Sequence, residues 1–201
     1  MAKPQIQLTQ KSIFKFWLPI AATWLMMSLE GPFLAAIIAR LPNLQFNLAA
    51  FGIAFYIGLF VEAPIMMLIS ASLALVKERQ SYLKLRQFTL ILNGLITLCM
   101  FVFAVPVIFK MYAGKLMSLP DNLTHLAWIA TILLIPWPAA IGFRRFYQGL
   151  LIRNGRTRFV AYGTVIRLIA MAGSALCLAK MTELPGAWVG CSALSIGVTI
   201  E

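Results

Sequence analysis

The chain has 201 residues, 61% of them apolar and 11% charged, and a formal net charge of +11. Soluble domains carry roughly 25% charged residues, and the 17 basic and 6 acidic side chains present here are too few to cover such an apolar chain in water. A soluble globular domain, a disordered chain and a disulfide scaffold are all excluded, since Cys99, Cys177 and Cys191 sit in apolar stretches without CxxC spacing and read as small packing residues.

A bilayer core of about 30 Å needs about 20 apolar residues per helix, and six stretches meet or approach that length: 16–39, 48–76, 88–109, 126–143, 159–179 and 184–201. The expectation is an all-α integral membrane protein whose whole chain, 1–201, forms one six-helix bundle in the lipid bilayer. Lys3, Lys11 and Lys15 precede the first span, which is too long for a secretory signal and lacks a small-x-small exit, so it reads as uncleaved.

Span one carries Glu30-Gly31-Pro32 near its middle and span two, long enough to tilt, carries Glu62-Ala63-Pro64. An acidic residue at mid-membrane costs about 3 kcal/mol, so such residues usually line a cavity or pathway. Pro32 and Pro64 cannot donate a backbone N–H. The carbonyls of Ser28 and Phe60 therefore lose their helical partners, and each helix is expected to break there. A freed carbonyl beside a carboxylate makes an oxygen-rich site for a proton or Na+. Antiparallel neighbours can bring the two carboxylates to one depth, where at least one holds a proton or recruits a cation.

Span four holds Ile135-Pro136-Trp137-Pro138, read as a further helix break, followed by Phe143-Arg144-Arg145-Phe146-Tyr147-Gln148-Gly149, read as an interfacial belt in preference to a basic-aromatic surface for anionic lipid headgroups or a substrate's phosphate. Span five holds Arg167 near its middle, the natural counter-charge for a mid-membrane glutamate. His125 is the single histidine and sits at the outer end of span four, so no histidine-based triad or His/Cys zinc site can form. Gly155-Arg156-Thr157-Arg158 lacks the spacing of a phosphate loop, and Asn122-Leu123-Thr124 is a glycosylation sequon on the expected outer side. No nucleophile and base are paired in the pattern, which argues against an enzyme.

Loop charges set the expected orientation. The N-terminal tail, the second loop (Lys77, Arg79, Lys84, Arg86) and the fourth loop (Arg144, Arg145, Arg153, Arg156, Arg158) hold twelve basic residues, against four, Arg40, Lys110, Lys115 and Lys180, in the alternate loops. Cytoplasmic loops retain Lys and Arg, so both termini are expected in the cytoplasm, in an inner or plasma membrane. The same loop-by-loop distribution removes nucleic acid as a partner.

The order of these features resembles the N-terminal lobe of the multidrug and toxin extrusion (MATE) family, within the superfamily that includes polysaccharide and lipid-carrier flippases. The resemblance runs through Leu48-Ala49-Ala50-Phe51-Gly52, Phe146-Tyr147-Gln148-Gly149, Gly155-Arg156-Thr157-Arg158 and Pro185-Gly186-Ala187-Trp188-Val189-Gly190, and the Glu-Gly-Pro and Glu-Ala-Pro elements are similar to its progressive-ankylosis branch. It implies a secondary transporter that exports a small or amphiphilic substrate by alternating access, with proton or cation coupling at Glu30 or Glu62 and Arg167 as counter-charge. Family members pair two such lobes, so the chain is expected to be one lobe of a longer protein or a half-transporter that dimerises. Two other functions stay open: a flippase for a lipid-linked or anionic, phosphate-bearing cargo, and a non-transporting scaffold subunit. Arg144, Arg145 and Arg167 facing the cavity would favour an anion, whereas carboxylates and aromatics alone would favour an organic cation.

Overall fold

The protein is described by a computed structural model over residues 9–201, with Leu116 described by its backbone alone; Lys3 lies outside the described residues. Ten α-helices follow in order: α1 (Gln10–Ser28), α2 (Glu30–Ile38), α3 (Leu44–Glu62), α4 (Leu68–Leu75), α5 (Arg79–Ala104), α6 (Pro106–Met111), α7 (Asp121–Leu133), α8 (Pro136–Arg153), α9 (Thr157–Met181) and α10 (Gly186–Ile200). No strand occurs among the described residues. Taken through their breaks, these make five rods long and apolar enough to cross a membrane, Gln10–Ile38, Leu44–Leu75, Arg79–Ala104, Asp121–Arg153 and Thr157–Met181, plus the shorter apolar helix Gly186–Ile200. Large apolar side chains such as Leu25, Phe60 and Ile169 cover the outside, 67%, 77% and 68% exposed, a surface compatible with lipid and ill-suited to water.

Proline sets most of the breaks. The first rod interrupts at Leu29, so Glu30 opens α2 with Pro32 in its first turn, where the missing N–H is harmless. In the second rod, Ala63–Met67 tightens to a 3-10 turn around Pro64. That tightening corrects one expectation: the Phe60 carbonyl is not left free, because the N–H of Ala63 donates to it. The third rod starts at Arg79, well before residue 88, because a capping box between Glu78 and Ser81 carries the helix out past its apolar stretch. It ends at Val105, extended ahead of Pro106. The fourth rod breaks at Leu134 and Ile135, before Pro136 and Pro138, then runs on to Arg153, ten residues beyond the expected end at 143.

Where prolines open a helix, neighbours supply the missing donors. Ser195 Oγ donates to the Leu133 carbonyl at 2.6 Å, just before the Pro136 break, and Trp128 Nε1 donates to the Ala104 carbonyl at 2.7 Å, just before Pro106. A carbonyl that loses its helical partner away from water needs another donor, so these bonds fix which helix lies beside which.

The helix too short to count among the five rods is the central one. α10 packs against α9, α3, α7, α8 and α2, and its small residues permit that approach. A Cβ on Gly190 would come within 2.9 Å of both Ile38 Cδ1 and Phe51 Cδ2, and one on Gly197 within 2.9 Å of Met171 Cβ and 3.2 Å of the Arg167 carbonyl. Asn47 anchors the start of α10, its Oδ1 accepting the Ala187 N–H at 3.0 Å while its Nδ2 donates to the Pro42 carbonyl at 2.8 Å. Burial of small residues with close backbone packing is the usual basis of helix association in lipid.

Candidate functional site

Against this apolar packing, one region of the interior is ionic. The break at Leu29 puts Glu30 at the head of α2, and the turn around Pro64 puts Glu62 at the foot of α3. α9 contributes Arg167 from its middle and α8 contributes Arg144, Arg145 and Gln148. All six are buried, with Glu62, Arg145 and Arg167 between 2% and 3% exposed. The side chain of Glu201, just past α10, reaches the same cluster.

Pairing within the cluster is specific. Arg167 forms an ion pair with Glu30 through Nη2 and Oε2. Arg144 Nε lies 2.7 Å from Glu201 Oε2, and Arg167 Nη1 stands 3.9 Å from that same oxygen, so Glu201 is shared unequally between two guanidiniums. Arg144 Nη2 also donates to Thr164 Oγ1 and Met27 Sδ, both at 3.4 Å. The Thr164 hydroxyl is itself fixed by donating to the Val160 carbonyl at 3.1 Å. Arg145 lies over the Trp24 ring, 5.3 Å from its centroid, a geometry in which the ring face attracts the cation. Its Nη1 donates a long 3.5 Å bond to Gln148 Oε1.

Two charges are left over. Among the described residues, neither Glu62 nor Arg145 has an oppositely charged side-chain atom within 4.0 Å. Both line a cavity of about 250 Å³, together with Glu30, Arg144, Arg167 and Trp137. Trp24, Phe51, Phe55 and Leu194 are among its apolar walls. Glu62 Oε2, Glu30 Oε1, Arg145 Nε, Arg144 Nη1 and Trp137 Nε1 are buried there without a hydrogen-bond partner. Unpaired buried groups cost about 1–3 kcal/mol each, more when charged, so this cavity holds bonding capacity the fold does not use.

Three of the residues singled out in the sequence, Glu30, Glu62 and Arg167, therefore meet at one cavity, with Gly31 on its wall. Pro32, Pro64 and Pro136 lie on the exposed side of their helices, and Pro138 is buried in α8. Arg144 and Arg145 correct an expectation: they are not an interfacial belt but interior groups, 8% and 3% exposed. The reason is the length of α8. Stepping three and four residues at a time from buried Trp137 and Ile141 lands on Arg144, Arg145 and Gln148, a signal present in the sequence once the helix is extended through Arg153. Glu201 and Trp24 carried no comparable signal. His125 is exposed beside Trp128, ring centroids 5.9 Å apart, away from the cluster. No family model, curated protein or solved structure matches the chain.

Proposed function

We propose that the chain is a six-span lobe of a MATE-like secondary transporter in an inner or plasma membrane, moving a small substrate by alternating access, with a proton or cation bound at a buried carboxylate biasing which side is open. The observation that supports this most is the ionic cavity itself: Glu62 and Arg145, unpaired, at the meeting point of broken, apolar, span-length helices. Charges this deep are costly in a merely structural role, and broken helices around a central site are the usual build of substrate and ion sites in secondary transporters. Glu62 is the better coupling group of the two glutamates, because Glu30 is held by Arg167.

An anionic cargo is a second reading, favoured by the three arginines on the cavity wall. Proteoliposomes loaded with ethidium or carboxyfluorescein test both. A proton or sodium gradient should drive one dye out, ethidium for a cation exporter and carboxyfluorescein for an anion exporter. Glu62→Gln should stop that movement without loss of folded protein, since Gln keeps shape and hydrogen bonding but neither binds nor releases a proton. Equal gradient-driven rates in the unmodified protein and the variant would make the carboxylate structural, and no gradient-driven movement of either dye would leave the scaffold role.

A further inference from the structure

We infer that the cavity between α1, α2, α3, α8, α9 and α10 takes a small zwitterion, an ammonium carboxylate on a short apolar body, with the carboxylate toward Arg145 and the ammonium toward Glu62. The inference names the substrate class of the transporter proposed above and rests on that reading for its physiological meaning.

Charge matching within the cluster carries it. Arg167 is paired with Glu30 and Arg144 with Glu201, so one cation and one anion remain, Arg145 and Glu62. These two do not pair with each other, yet they line the same cavity. A ligand that is only an anion would satisfy Arg145 and leave the Glu62 carboxylate buried beside a second negative charge. A ligand that is only a cation would satisfy Glu62 and sit among three guanidiniums. With Glu62 ionised, only a ligand carrying both signs satisfies both groups, and in a low-dielectric site each mismatch is felt strongly.

The remaining donors and walls agree with that assignment. Arg144 Nη1 and Trp137 Nε1 are further N–H groups without partners at the cavity, suited to the second carboxylate oxygen, and Glu30 Oε1 is a further acceptor for the ammonium. Phe51, Phe55 and Leu194 offer apolar surface for the body. At about 250 Å³ the space equals roughly eight waters of about 30 Å³ each, so the ligand is of the order of ten non-hydrogen atoms. Arg145 is held over Trp24, which limits its freedom to swing across and pair with Glu62 directly.

Three probes sharing one aliphatic body test this on the purified full chain in nanodiscs: leucine, its decarboxylated analogue 3-methylbutylamine, and its deaminated analogue 4-methylpentanoate. Binding is read by equilibrium dialysis of the labelled compounds. Leucine is expected to bind at least tenfold tighter than either analogue. Glu62→Gln should bring leucine down to the level of 4-methylpentanoate, and Arg145→Gln should bring it down to that of 3-methylbutylamine. If the variants do not fold, the comparison in the unmodified protein decides alone. Either analogue binding as tightly as leucine, or no binding of leucine at millimolar concentration, overturns the assignment. Failure of the transporter reading looks different: leucine would bind with the expected selectivity, yet labelled leucine would stay inside proteoliposomes under any imposed gradient. Gradient-driven release of carboxyfluorescein or ethidium without leucine binding would keep the transporter and discard the zwitterion.

Discussion

At the scale of single residues, the Arg167–Glu30 pair shows how an apolar helix bundle accommodates buried charge. Both groups are buried, and each is the other's ion-pair partner. Removing one partner leaves an uncompensated buried charge and typically costs about 3–5 kcal/mol, whereas replacing both by apolar groups is often neutral. Arg167→Met should therefore lower thermal stability sharply, and Arg167→Met combined with Glu30→Leu should recover most of the loss, as measured by unfolding in nanodiscs. A double variant less stable than either single one would remove the pairing as the reason these residues are buried. Ser195→Ala tests a smaller term, the bond to the Leu133 carbonyl, with an expected loss of about 0.5–1.5 kcal/mol. Mid-span Glu30, Glu62 and Arg167 were legible in the sequence because an ionisable residue stands out in an apolar run. Arg144 and Arg145 were not, because they follow the apolar run of span four and fit an interfacial belt equally well until the helix is known to continue.

At the scale of helices, the breaks were more legible than the ends. Pro64 and the pair Pro136 and Pro138 mark interruptions where the missing N–H demands them. Pro19 lies inside α1 without ending it, so proline alone does not decide. Helix ends escaped because hydropathy reports where lipid could lie, not where hydrogen bonding stops: α5 begins at Arg79 on a cap of polar residues that no apolar count includes. The role of α10 was also hidden, since centrality depends on which small residues face which neighbours. Glycine substitutions separate close approach from open space. Gly197→Leu, aimed at Met171 and the Arg167 backbone, should destabilise by about 1–3 kcal/mol through overpacking. Gly94→Ala, with nothing within 4 Å of its Cβ, should be neutral or slightly stabilising in the middle of α5. Equal effects at the two sites would mean that α10 is not packed as described.

At the scale of the whole molecule, loop charge sets the expected orientation, and with Arg144 and Arg145 interior the expected cytoplasmic segments still hold ten basic residues against four. In a background with Cys99, Cys177 and Cys191 replaced, a cysteine at Lys84 should be shielded from an impermeant maleimide in intact cells, and one at Lys115 should be labelled. The reverse pattern would invert the topology. Under the proposed alternating access, the cavity holding Glu62 and Arg145 opens to each side of the membrane in turn. Ser28 lines that cavity, so Ser28→Cys in the same background, reconstituted in one orientation, tests it directly. Labelling is expected from both faces of the membrane, with an imposed proton or sodium gradient raising the rate from one face as it lowers the rate from the other. Labelling from one face only, at a rate no gradient changes, would contradict it.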